Sequence, residues 1–246
     1  MMGSHRSNSV NEKMDKPLSP FVIAIIPLYA GVFIGIFLFP VANDWSWMRG
    51  WLFTIAFALI LGVGYALINK ENPRVLRNRM KIKKEGLSET TKKSAASDRF
   101  IMPIMALAFF GALLTPSLGR RFGWPQLPLW LSLIGLAVSS AGNIILLTSM
   151  HQNAHASKLL DINQEQKLID TGLYGRVRHP LYMGAILMVI GVPVALGSYW
   201  GLIPAVVVCL TLVWRIKFEE EMLLKGMDGY ADYQQRVKYR LFPGIY

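Results

Sequence analysis

Two short polar clusters carry most of the reactive side chains in this sequence. The first, GLYGRVRHPLYMG from Gly172 to Gly184, sets Arg176, Arg178 and His179 just before an apolar run that begins at Leu181. The second, RIKFEEEMLL, opens with Arg215 and places Glu219, Glu220 and Glu221 just after that run. One cluster suits an anion and the other a cation. A residue before proline is held extended, which describes His179, and Pro180 suits the first turn of a helix. The positive end of such a helix favours an anionic group near His179. Three carboxylates beside an anionic membrane surface are unfavourable unless cations answer them. Arg215 lies four residues before Glu219 and can pair with it along a helix, which leaves Glu220 unanswered. Plainer uses exist: boundary arginines hold phospholipid headgroups, and Tyr174 and Tyr182 can anchor at the interface.

Other reactive types are sparse. His151 and His155 are spaced to share a helix face, but no acidic or thiol partner stands at ligand spacing, so no metal site is expected. Cys209, the single cysteine, sits inside PAVVVCLTLVW and reads as a small packing residue. His5 lies in a polar N-terminal tail and is given no role.

The elements that position these groups are apolar helices. Of the 246 residues 53% are hydrophobic and only 17% charged, well below the charge content of soluble domains. The formal net charge of +11 falls between long apolar runs, which fits membrane topology and argues against nucleic acid as a partner. After the tail 1–20, apolar runs cover Phe21–Val41, Trp51–Ile68, Phe100–Leu118 and Leu129–Met150, each near the length that crosses a bilayer. A basic loop spans 70–99, and Trp45, Trp47 and Trp51 mark an interface. The last run, 181–214, is too long for one span and is broken by LGSYWG at Leu196–Gly201, so it reads as a helical hairpin. Of the 26 Lys and Arg residues, 23 fall in the N-terminal tail, the 70–99 loop, the segment after the fourth run and the C-terminal tail; Arg49, Arg120 and Arg121 make up the rest. That bias places both termini in the cytoplasm. The expectation is an all-α polytopic membrane helix bundle of about six transmembrane helices. Residues 21–150 hold the first four, and 151–246 hold the hairpin and a cytoplasmic helical tail.

A hairpin returns its ends to one place, so RHPLYMG and RIKFEEEMLL should meet at the cytoplasmic face. A ligand with a carboxylate and positive groups would answer both clusters. S-adenosylmethionine has that character: a zwitterionic amino-acid end, a cationic sulfur and a ribose diol that wants acceptors.

The residues Gly172, Tyr174, Arg178, His179, Pro180, Tyr182 and Gly184, followed by Arg215, Glu219 and Glu220, then Tyr230, Tyr233 and the ending RLFPGIY, resemble the isoprenylcysteine carboxyl methyltransferase family, itself related to phospholipid N-methyltransferases. The resemblance covers 168–246, with Asn153 and Ser157 as a weaker continuation. It implies an integral membrane methyltransferase that uses S-adenosylmethionine, with the cofactor held by His179, Tyr182, Glu219 and Glu220, and further by Tyr174 and Gly184. Arg178 and Arg240 are the candidates for orienting an anionic, lipid-like or prenylated acceptor that enters from the membrane. Leu173 and Gly175 depart from the family's usual proline and basic residue, which bears on the acceptor more than on the cofactor. Two other classes share features with the chain: membrane sterol-type reductases that use NADPH, and non-catalytic proteins that bind membrane phospholipids.

Overall fold

The computed structural model describes residues 16–80, 89–153 and 168–246; of the side chains of 78–80 and 89–98 nothing is said. Eight helices are present among the described residues: α1 (Pro20–Ala42), α2 (Met48–Glu71), α3 (Pro73–Met80), α4 (Glu89–Arg121), α5 (Leu129–Gln152), α6 (Pro180–Ala195), α7 (Leu202–Gly226) and α8 (Tyr230–Arg236). The chain is all-helical there apart from a single β-bridge between Gln126 and Ser198.

Local chemistry sets several of the boundaries. Ser19 caps α1 by accepting from Val22 N, Pro20 occupies the first turn, and Asn43 ends the helix in a left-handed conformation. α1, α2, the Arg99–Arg121 part of α4, and α5 are long and apolar enough to cross a membrane. They are apolar on all sides because the solvent around them is lipid as well. Leu28, Leu59, Leu107 and Leu133 all face outward.

The helices of the final pair differ from the other four. α6 has 16 residues and is apolar throughout. α7 continues as helix through Arg215–Gly226, where the sequence suggests a polar tail. That extension gives Arg215, Glu219 and Glu220 fixed positions on a helix. Likewise α4 starts at Glu89, inside the basic loop, and α3 forms within the same loop. His5, His155 and Ser157 lie outside the described residues.

The most extensive packing joins α5 to α6. A Cβ placed on Gly142 of α5 would lie 2.4 Å from Met188 N and 2.6 Å from Gly184 O; one on Gly184 of α6 would lie 2.7 Å from Gly142 O. Backbones this close require glycine on both sides. Small residues serve this purpose in membranes, where close van der Waals approach replaces the hydrophobic effect between helices. α4 packs on α7, and α6 also meets α4 and α7, so α6 stands at the centre with its N-terminus at the polar cluster. Ile186, Val189, Val208 and Leu212 fill the space between.

Candidate functional site

Pro180 opens α6, and His179 is its N-cap residue, with φ −124° and ψ 60° in place of the extended backbone expected before proline and with no side-chain cap hydrogen bond. The backbone N–H groups of Arg178 and His179 do not face an anion; they donate to Tyr239 O and Arg240 O, each at 2.9 Å. The C-terminal segment therefore lies along the RHP motif as a short ribbon. From the other side, α7 brings in Glu219 and Glu220. The hairpin thus closes as its sequence implies, with residues 42 positions apart in direct contact.

Glu220 is the centre of the cluster and is 3% exposed. Its Oε1 accepts from Arg178 Nε at 2.7 Å and lies 3.2 Å from His179 Nε2, while Oε2 accepts from Arg240 Nε at 2.8 Å. Burial alone would raise its pKa. The hydrogen bonds from His179, Arg178 and Arg240 outweigh burial and bring it down to about 2. Opposite charges and donors to the ionised form act in this way. Glu220 is a carboxylate whose two oxygens are already engaged by the protein.

Arg178 is 8% exposed. Besides Glu220, it donates through Nη1 to the carbonyls of Val237 and Lys238 at 2.7 and 2.9 Å. This geometry fastens the C-terminal segment to the hairpin; it does not present a guanidinium to an incoming acceptor, the use expected from sequence. Arg240 is different. Its side chain is 32% exposed, with Nη1 donating to Tyr246 Oη at 3.1 Å and the guanidinium 5.1 Å from the Tyr246 ring centroid.

A second set surrounds Tyr182, whose hydroxyl donates to Glu219 Oε2 at 2.5 Å and accepts from Arg215 Nη1 at 3.0 Å. The pairing of Arg215 with Glu219 expected from sequence is bridged by this hydroxyl. The rings of His179 and Tyr182 stack with centroids 5.6 Å apart. Glu219 is only partly buried, so it is the more available of the two glutamates. Tyr174 is buried, and its carbonyl accepts from Tyr233 Oη at 2.7 Å. Gly184 faces α5 at the helix contact described above, and that close approach of backbones accounts for the glycine.

Sequence reasoning gave Tyr230 no role. It is buried, and its Oη has no hydrogen-bond partner among the described residues. Burial and the nearby charge of Glu220 push its pKa up, so it is held as a neutral donor. The Tyr230–Tyr233 spacing was the available signal, but nothing in it distinguishes the two hydroxyls. His151, read as the polar end of a helix, lies 3.2 Å from Glu71.

Residues 130–228 match the phospholipid methyltransferase family model. A curated relative, protein-S-isoprenylcysteine O-methyltransferase B of Arabidopsis thaliana, is 33% identical over 113 residues, covering 44% of this chain and 57% of that protein. Over part of its length the chain is thus similar to phospholipid and isoprenylcysteine methyltransferases. The match spans little more than half the length of the curated relative. The solved structure of the eukaryotic intramembrane Ras methyltransferase ICMT (isoprenylcysteine carboxyl methyltransferase) is 18% identical with a TM-score of 0.45, over 93% of this chain and 88% of that one. That degree of likeness does not by itself establish a common fold. The residues matched by the family model take in nearly all of α5 and the whole of α6 and α7, and with them Arg178, His179, Tyr182, Glu219 and Glu220, while Arg240 lies beyond them.

Proposed function

We propose that the protein is an integral membrane methyltransferase that uses S-adenosylmethionine and methylates a carboxylate on a lipid-like acceptor of the isoprenylcysteine type. The observation that carries this reading is the closed hairpin: a saturated, buried Glu220 and the buried pair His179 and Tyr182 brace the partly exposed Glu219 and Arg240. The family-model match over 130–228 and the similarity to a curated methyltransferase support it and give no support to hydride transfer from NADPH.

The residues present fit the cofactor. Glu219 offers a carboxylate to an ammonium group or a ribose diol, and Tyr230 holds a buried, unpartnered hydroxyl close to both glutamates. When bound, the cofactor supplies an electrophilic methyl group on a positively charged sulfur. The chain's own residues have a modest task, because an ionised carboxylate acceptor needs no base. Alignment and removal of water are enough to supply several kcal/mol. Arg240, hinged between Glu220 and Tyr246, retains exposure for orienting an acceptor carboxylate. Arg178, Glu220 and the backbone ribbon at 239–240 hold Arg240 in place. His179 presents its ring edge to Glu220 and its face to Tyr182. It is a packing wall in this reading, with no proton to carry.

Calorimetry with S-adenosylmethionine on detergent-purified protein tests the cofactor assignment. Saturable binding is expected, and Glu219→Gln should weaken it about tenfold or more, the loss of one charge-assisted hydrogen bond. Absence of saturable binding by folded native protein would contradict the assignment.

A further inference from the structure

The opposite end of α6, about 24 Å from Pro180 at helical rise, holds a second polar site that methyl transfer does not use. A small, mostly apolar cleft lies there between α2, α5 and the end of α6, lined by Arg49, Leu52, Phe53, Leu129, Ser132 and Ala195, among others. Two of its polar groups are stranded. Ser132 is 3% exposed and its Oγ has no hydrogen-bond partner among the described residues, and the same holds for the buried Nη1 of Arg49.

Arg49 stands in the first turn of α2. A cation is disfavoured there, because the helix N-terminus is itself positive. α5 also begins at the cleft, and neither helix has a side-chain cap hydrogen bond. Two positive helix ends and a guanidinium therefore converge on one small space. No carboxylate balances them: Asp44 is engaged by Arg120 at 2.8 Å, and no other acidic residue occurs in 42–50, 119–128 or 196–201. The C-terminal carbonyls of α6 do not answer Arg49 either. Those of Val192, Pro193 and Val194 accept backbone N–H groups from the turn, and Gly197 O accepts from Leu127 N. The guanidinium lies against Gly197, close enough that a Cβ at this position (φ 82°) would collide with Nη1.

The surroundings indicate what the missing anion carries. Leu52, Leu129 and Leu133, which line the cleft, are exposed on the lipid-facing side. Trp45, Trp51, Trp130, Tyr199 and Trp200 are exposed at the same end, as expected at the boundary between headgroups and acyl chains. We propose that this cleft binds the phosphodiester of a membrane phospholipid, with the phosphate between Arg49 and Ser132 and the acyl chains along Leu52, Leu129 and Leu133. The site is independent of the methyltransferase reading and survives or falls without it.

The test is lipid retention by the full chain, read by native mass spectrometry after detergent exchange. The probes are dioleoylphosphatidylglycerol, dioleoylglycerol with the same tails and no phosphate, and inorganic phosphate as competitor. The native protein should retain phosphatidylglycerol, Arg49→Gln should retain about tenfold less, and Ser132→Ala several-fold less. Arg121→Gln, which alters an exposed cation at the same end, should match the native protein. Retention by Arg49→Gln equal to native would overturn the proposal, as would equal retention of dioleoylglycerol. Displacement of the lipid by millimolar inorganic phosphate would assign the cleft to a free anion and overturn it likewise. If Arg49→Gln does not fold, Ser132→Ala decides: unchanged retention sinks the site.

Discussion

Glu220 tolerates burial only because three donors surround it, so its neighbours are as exacting as the residue itself. Breaking a buried ion pair from one side leaves a charge uncompensated and typically costs about 3–5 kcal/mol. Glu220→Gln should therefore lower the thermal midpoint markedly and expose 237–246 to protease, whereas Glu219→Gln should leave both nearly unchanged while weakening cofactor binding. A Glu220→Gln protein as stable as native would show that the three contacts are incidental. The same carboxylate predicts a pH effect. Its folded pKa lies near 2, below the ordinary 4.5. The stabilisation is thus complete above about 4.5 and is lost as pH falls through that window toward 2. Protection of the amides at 237–246, taken relative to the intrinsic exchange rate at each pH, should fall over this acid range and stay flat between pH 5 and 8. The two sets of glutamate contacts show what sequence could and could not reveal. That Glu220 needed a cation was legible from an excess of carboxylate after Arg215. That Arg178 would be the brace and Arg240 the partly exposed cation was not, because the choice depends on the path of a C-terminal ribbon that carries no sequence periodicity.

At the scale of helices, the hairpin's closure was readable because two constraints agreed: an apolar run too long for one span and a glycine-containing break in its middle. Its lengths were less readable. Charged residues from Arg215 onward looked like a tail, yet Glu220, Arg215 and Met222 are buried and keep α7 helical to Gly226. Tertiary contacts there override the local polarity. Gly184 was assigned to a ligand for similar reasons: glycine permits close approach, and sequence does not reveal whether a ligand or another helix approaches. Here α5 does. Gly142→Leu should accordingly disrupt the α5–α6 seam and abolish recovery of folded, monodisperse protein, while Gly123→Ala, on a turn with open space around it, should be tolerated at a cost near 1 kcal/mol. Fluorescence-detected size-exclusion of the two variants checks this, and a well-folded Gly142→Leu protein would mean the seam is loose.

For the whole molecule, the physical logic is one of two ends. Among the described residues, most of the cationic side chains lie at the end where α6 begins, and that end carries the Glu220 cluster and the proposed methyl transfer. The other end has three arginines and one aspartate and carries the lipid cleft. The orientation argued from 23 of 26 basic residues predicts that a cysteine placed at Tyr199 is labelled from outside intact cells and one placed at Lys238 is not; the reverse would invert the topology. The central claim concerns chemistry, and methyl transfer tests it most directly. Protein in lipid vesicles is given S-adenosylmethionine labelled in its methyl group together with a farnesylated cysteine analogue bearing a free carboxylate. The account predicts a lipid-soluble label that base releases as methanol, as an ester requires, and its loss in Arg240→Gln. A label stable to base would move the acceptor atom to nitrogen or sulfur, and no label above a protein-free control across prenylated and phospholipid acceptors would contradict the account.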